Sequence, residues 1–197
     1  MRDSLDVDHL VVAARTLADG EAWCADVFGL RPAAGGQHAF MGTHNRVFDV
    51  SSTRHPRAYL EIIAIDPTLP APGRPRWFEL DENSMQARIA RVPQLVHWAA
   101  RVPDAEAARA ALWQERGVDC GTVVDAQRGL LRWRITLRDD GRRPEGGRVP
   151  ALIEWRGAHP TDALTPSGVE LLEIGTDPSL RARLQTPRGT VELTCPD

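Results

Sequence analysis

The chain has 197 residues, of which 42% are hydrophobic, and this is enough to bury one substantial core. Its 24 basic and 27 acidic residues interleave and give a net charge of −3, which argues against a nucleic-acid or membrane partner. The three cysteines are widely spaced and the N-terminus is acidic, so we expect a cytoplasmic protein with neither a disulfide framework nor a signal peptide.

The first third of the sequence predicts a β-strand, an α-helix and three more strands. Residues 5–14 are Val-rich without helical spacing, which is typical of a buried strand. A helix follows, with Thr16 as its N-terminal cap and Gly29 at its end. The three further strands are predicted at 31–37, 45–51 and 58–65.

The same order of elements is predicted again after a linker. Four prolines in the segment PTLPAPGRPRW indicate a loop, and a short helix is predicted within 81–90. The strand at 95–101 contains HWAAR, which resembles HLVVAAR in the first strand, and a helix follows at 104–117. The remaining strands are predicted at 121–125, 130–137 and 149–155.

This repetition predicts the fold class. His9 and His97 are 88 positions apart in the two first strands, and Glu61 and Glu154 are 93 positions apart in the two last strands. We expect an α+β fold in which two tandem βαβββ modules form a curved mixed sheet around a cleft. The predicted division is a first module at 5–66, a linker with a short helix at 67–93, a second module at 94–158 and a C-terminal extension at 159–197. The extension should contain a strand pair around a short helix near Leu180.

The four paired residues are candidates for a functional site. A glutamate within YLEII or LIEW lies inside a strand, where a buried carboxylate is costly unless it is paired, hydrogen-bonded or bound to a metal. Either the glutamates face water and the histidines belong to the core, or the four side chains share a pocket. Two imidazoles and two carboxylates would suit zinc, nickel, iron or manganese.

Other polar and aromatic residues are candidates for the same cleft. The segment around His38, His44 and Asn45 is rich in glycine, which allows close backbone approach, although it also fits an ordinary turn. Aromatic side chains on predicted strands would form a cleft wall or plain core, and two arginines that flank one tryptophan would bind a carboxylate or face solvent. These candidates for substrate binding are Tyr59, Trp98, Trp133, Arg132 and Arg134.

Several segments together resemble a known family. The sequence is similar to glyoxalase-like proteins of the vicinal oxygen chelate superfamily over about residues 5–160, in DHLVVAART, GGQHAFMGTHNRVF, YLEIIAIDP, GRPRWFELD, LVHWAAR, LRWRITL and PALIEW. The resemblance implies paired βαβββ modules and, in metal-using members, ligands on the first and last strands of each module. By position these would be His9, Glu61, His97 and Glu154.

The resemblance implies two classes of function. One is a divalent-metal-dependent lyase, isomerase or dioxygenase-like enzyme for a small oxygen-rich substrate, in which Glu61 or Glu154 moves a proton. The segment with His38, His44 and Asn45 has no counterpart in ordinary glyoxalase I, so these three residues are alternative catalytic candidates that would organise the pocket in place of a full four-ligand metal set. The other is a non-catalytic protein that sequesters a drug or aromatic ligand, since metal-free relatives of this kind exist. No flavin or nucleotide motif is present, and a homodimer is expected.

Overall fold

The strands and helices form two similar sets and a C-terminal addition in a computed structural model, which describes residues 5–195. The acidic N-terminus considered above begins outside the described residues. The first set is β1 (Asp6–Ala13), α1 (Leu17–Phe28), β2 (Ala33–His38), β3 (Thr43–Asp49) and β4 (Tyr59–Ile65). The second set follows a short helix, α2 (Asn83–Ile89), and consists of β5 (Gln94–Arg101), α3 (Ala105–Arg116), β6 (Thr122–Arg128), β7 (Leu131–Leu137) and β8 (Ala151–Trp155). The addition is β9 (Glu170–Gly175), β10 (Arg181–Thr186) and β11 (Gly189–Thr194).

The two long helices each begin at a residue whose side chain caps the N-terminus and end at a glycine. The Thr16 hydroxyl accepts a hydrogen bond from the backbone N–H of Asp19 at 3.1 Å, and α1 ends at Gly29 with a left-handed φ of 71°. In the second set, Asp104 accepts from the N–H of Ala107 at 3.0 Å, and Gly117 ends α3 with a φ of 64°. The capping pattern therefore repeats with the duplication.

Eight strands form one curved mixed sheet, in the order β2-β3-β4-β1-β5-β8-β7-β6. The two first strands, β1 and β5, lie antiparallel at its centre, and β1 pairs in parallel with β4 as β5 does with β8. This arrangement makes a half-barrel, and the predicted α+β class with paired βαβββ units is confirmed. Among the described residues, no helix is long and apolar enough to cross a bilayer.

The largest part of the core lies on the side of the sheet that α1 and α3 cover. Leu10, Leu60 and Leu152 are fully buried there, because alternate residues of β1, β4 and β8 point to this side. The residues between them point to the opposite, concave side. That alternation decides which polar side chains reach the site.

The C-terminal addition is a separate three-stranded sheet in the order β11-β10-β9. It packs into the same core through residues such as Leu171 and Leu184. The predicted short helix near Leu180 is wrong, because the next segment is strand β10. The sequence RARLQT alternates between exposed and buried side chains, so it fits the middle of an antiparallel sheet better than a helix.

Candidate active site

A small cavity lies on the concave side of the sheet, between the two sets of strands. The free space inside it is about 30 Å³, which holds about one water molecule. Its walls are aromatic and aliphatic, and its polar groups converge from β1, β2, β3, β4 and β6. The lining residues are His9, His38, Asn45, Tyr59, Glu61, Trp77, Phe78, Arg128, Trp133, Ile135, Ile153 and Trp155.

Glu61 supplies a buried carboxylate at the centre of this cavity. Its neighbours Leu60 and Ile62 point into the core beneath the helices, so Glu61 must point to the concave side, where it is 6% exposed. Glu61 Oε1 accepts a hydrogen bond from Asn45 Nδ2 at 2.5 Å, and Oε2 lies 3.7 Å from His9 Nε2. The carboxylate is therefore oriented on one side and faces an imidazole on the other.

His9 is held in position by the carboxylate that precedes it. The Nδ1 atom of His9 lies 2.7 Å from Asp8 Oδ1, and the ring of Tyr59 stacks on the imidazole with 4.6 Å between centroids. Asp8 Oδ2 also accepts from Trp155 Nε1 at 2.9 Å and lies 3.1 Å from His159 Nε2. This arrangement directs His9 Nε2 into the cavity, because Nδ1 is occupied by Asp8.

Burial and neighbouring charges shift the pKa values of three buried groups at the site. Burial alone would raise the pKa of Asp8, but hydrogen bonds from His159 and His9 outweigh it and hold that pKa well below its usual range. Burial lowers the pKa of His38 to about 4, with Arg128 adding to the effect, although Glu61 opposes it. Burial also raises the pKa of Tyr59 well above its ordinary value. At pH 7, Asp8 is thus a carboxylate, His38 is neutral and Tyr59 keeps its proton.

His38 and Asn45 are two of the predicted site residues that the fold brings to Glu61. The Nδ1 atom of His38 lies 3.1 Å from the Thr43 hydroxyl, and its Nε2 atom lies 3.8 Å from Glu61 Oε1. His44, the next candidate along β3, points to the other side and has its Nδ1 atom 3.4 Å from Asp66 Oδ2. The alternation of β3 therefore separates His44 from Asn45.

The second module does not present an equivalent pair. The Nε2 atom of His97 accepts from the backbone N–H of Ala151 at 3.2 Å, and burial lowers the pKa of this histidine to about 3, with Arg143 and His9 contributing. Glu154 points to the helix-covered side, where it accepts from the N–H of Ala105 at 3.0 Å and lies 3.4 Å from Arg134. The structure does not bring Glu154 to the cavity.

The five candidates for substrate binding divide in the same way. Tyr59 and Trp133 line the cavity. Trp98 is buried in the core beneath the helices, since it alternates with His97 on β5. Arg132 and Arg134 flank Trp133 and line a separate, open groove of about 1040 Å³ beside the cavity.

Comparison with known proteins agrees with this architecture. The sequence profile described as a glyoxalase-like domain matches residues 7–186. The chain belongs to this glyoxalase-like family, within the vicinal oxygen chelate superfamily. No curated protein sequence matches it.

Several solved structures are similar to this glyoxalase-like protein at low sequence identity. A hypothetical protein from Staphylococcus aureus is 13% identical with a TM-score of 0.56, over 98% of this chain and 86% of that one. Methylmalonyl-CoA epimerase from Streptomyces coelicolor, in complex with 2-nitronate-propionyl-CoA, is 15% identical with a TM-score of 0.48, over 79% and 99%. The Mycobacterium tuberculosis methylmalonyl-CoA epimerase is 18% identical with a TM-score of 0.46, over 83% and 96%. The likeness to the Staphylococcus aureus protein concerns the fold alone.

The metal set implied by the family does not fit the residues of this glyoxalase-like protein. Of the four expected ligands, only His9 and Glu61 face each other across the cavity. His97 uses Nε2 as an acceptor for a backbone N–H, and the Glu154 carboxylate is bound by Arg156 and by a helix N–H. In residues 5–195, no three His, Cys, Asp or Glu side chains are arranged to hold a metal ion.

Three polar residues of the site were not among the candidates from the sequence. Asp8 had a signal, since it is an acidic residue inside a buried strand, but its neighbour His9 was the more obvious ligand type. Arg128 lies at the end of β6, where an arginine before a turn has no distinguishing pattern. His159 lies beyond the second module, and its contact with Asp8 spans most of the chain.

Proposed function

We propose that this protein is an isomerase or lyase that transfers a proton at a carbon atom next to a carbonyl group in a small oxygen-rich substrate. The observation that carries the proposal is the buried Glu61 carboxylate, which faces the Nε2 atom of an Asp8-supported histidine at 3.7 Å inside an aromatic cavity. At this spacing the carboxylate can remove a proton from a substrate carbon while the imidazole contacts the carbonyl oxygen next to it.

In the proposed reaction, Glu61 removes the proton. The substrate C–H bond breaks, the proton moves to Glu61 Oε2, and the electron pair forms a carbon–carbon double bond while the carbonyl oxygen becomes an enolate. Asn45 holds the other carboxylate oxygen through its amide N–H, which fixes the base without neutralising it. A proton delivered to the opposite face of the same carbon inverts its configuration, and a proton delivered to the neighbouring carbon of an enediolate gives an isomer.

His9 is placed to stabilise or protonate the enolate oxygen. Asp8 bonds the Nδ1 side of the imidazole, so Nε2 is the atom that meets the substrate. Asp8 also stabilises any positive charge that develops on this ring. The aromatic walls leave room for only about one water molecule beside the reacting groups, which strengthens these electrostatic contacts.

Hydrogen–deuterium exchange tests the proposal without knowledge of the product. A panel of small 2-oxo and 2-hydroxy carbonyl compounds is incubated with enzyme in D₂O, and loss of the α-proton signal is followed by ¹H NMR. The wild type should exchange at least one compound, whereas Glu61→Gln should lose about 10²-fold or more of the rate. Glu192→Gln, at an exposed position of β11, is the matched control. Exchange that survives in Glu61→Gln, or is absent for the whole panel, would overturn the proposal.

A further inference from the structure

Arg128 reaches the site from the opposite half of the molecule. It is the last residue of β6, whereas Glu61, Asn45, His38 and His9 all belong to the first set of strands. Its Nη1 atom donates to Asn45 Oδ1 at 2.8 Å and lies 3.3 Å from His38 Nε2. The guanidinium therefore lies at the wall of the cavity, one side chain away from the proposed base.

No carboxylate of the described residues neutralises this guanidinium. None of the ion pairs found within 4.0 Å in residues 5–195 includes Arg128, although most other partly buried arginines have an acidic partner. Within residues 5–195 its two hydrogen-bond partners are neutral groups, an amide oxygen and an imidazole that burial keeps unprotonated, and both contact only Nη1. A charged oxygen would be a stronger partner than either.

Two glycines of β2 make room for this arrangement. A Cβ atom at Gly36 would lie 2.4 Å from Arg128 Cδ, and one at Gly35 would lie 2.0 Å from Asn45 Oδ1. The backbone N–H of Gly36 also donates to Asn45 Oδ1 at 2.9 Å. The absence of side chains at Gly35 and Gly36 thus leaves space for the aliphatic part of Arg128. The position of Arg128 therefore depends on these glycines as well as on its own hydrogen bonds.

We infer that Arg128 binds a carboxylate group of the substrate, so the substrate class is small carbonyl compounds that carry a carboxylate, such as 2-oxo and 2-hydroxy acids. This inference rests on the proposed function of the same cavity, since it places the anionic end of the substrate beside Glu61. The carboxylate replaces Asn45 Oδ1 and His38 Nε2 as the partner of the guanidinium. The free space of about 30 Å³ holds only about one water molecule, so even a small acid enters only when the guanidinium moves away from Asn45 and His38.

Binding of oxalate, a small planar dicarboxylate, tests this inference by isothermal titration calorimetry. The neutral diamide oxamide, of similar shape, is the matched ligand control. Wild-type protein should bind oxalate at least tenfold more tightly than oxamide. Arg128→Ala should weaken oxalate binding at least tenfold, and Arg128→Lys should weaken it less, because lysine keeps the charge but loses the planar fork. Arg91→Ala, at an exposed arginine after α2, should bind oxalate like the wild type.

Gly36→Ala provides a second route if removal of the arginine impairs folding. This variant keeps the charge but forces the Arg128 stem away from β2, so it should also weaken oxalate binding while leaving the circular dichroism spectrum unchanged. Equal binding of oxalate and oxamide by the wild type, or wild-type affinity in Arg128→Ala and Gly36→Ala, would overturn the inference. Calorimetry involves no turnover, so failure of carboxylate binding is distinguished from failure of proton exchange.

Discussion

Replacement of Asp8 by asparagine should destabilise the protein by about 3 to 6 kcal/mol at pH 7. Asp8 is fully buried and holds His9 through Oδ1, and Trp155 and His159 through Oδ2. Asparagine keeps the size but has one acceptor oxygen and no charge. It cannot accept on both sides, so the equivalent of two charge-assisted hydrogen bonds is lost, each worth roughly 1.5 to 3 kcal/mol.

Urea unfolding followed by tryptophan fluorescence measures this loss. For a chain of this size the thermal midpoint should also fall, by about 2 to 4 °C per kcal/mol. Asp125→Asn is the matched control, since the Asp125 side chain is 91% exposed and its change should stay within about 0.5 kcal/mol. A loss below about 1 kcal/mol in Asp8→Asn would refute the view that this carboxylate organises the site.

The same substitution has a defined pH dependence. The pKa of Asp8 in the folded protein lies below that of an unfolded aspartate, which is about 3.9. Unfolding in acid therefore takes up a proton, and the stability that Asp8 contributes is complete above this value and is lost as the pH falls further. The difference between wild type and Asp8→Asn should shrink below about pH 4, and a difference that grew in acid would contradict this sign.

Three other predictions concern separate features. Gly20→Ala should cost about 1 to 3 kcal/mol in urea unfolding, because its Cβ would lie 2.4 Å from Ile62 Cγ2, and a stabilised variant would contradict this close packing. His38, with a pKa of about 4 against about 6.5 when unfolded, should show no titration by ¹H NMR between pH 5.5 and 8, and protein stability should decline as the pH falls from about 6.5 toward 4. EDTA should change the thermal midpoint of untagged protein by less than about 1 °C, whereas a stoichiometric metal ion that is lost in His9→Ala would restore the family's metal chemistry.

Much of the fold could be predicted because local signals repeat. The Thr16 and Asp104 caps, the helix-ending glycines and the two first strands occur in the same order in both halves, and each is a short-range preference. The segment after Leu180 was predicted wrongly because a short run of mixed polar and apolar residues is compatible with either a helix or a strand. Its pairing partners, β9 and β11, decide the matter, and pairing is not a local property.

The site was harder to predict because a strand reverses face at every residue. Val11 and Ala99, each two residues after the paired histidines, pair with Glu61 and Ala151 respectively. The position equivalent to Glu61 is therefore Ala151, and Glu154 lies three residues farther on, which turns it to the helix-covered side. The two glutamates are 93 positions apart and the two histidines 88, so the sequence already showed that the two pairs are not in the same register. Only the strand pairing shows that Glu154 faces the helix-covered side.

The alanine at position 151 indicates how the two halves have diverged. In the proposed reaction, one copy of the duplicated unit supplies the acid and the base, while the other contributes Trp133, Ile153 and Arg128 to the wall of the cavity. The proposed chemistry and the proposed recognition thus come from different halves, and both halves are needed to line the cavity. A recombinant protein made of two first halves would carry two copies of Glu61 but would lack Arg128. One made of two second halves would carry Arg128 but would lack the proposed base.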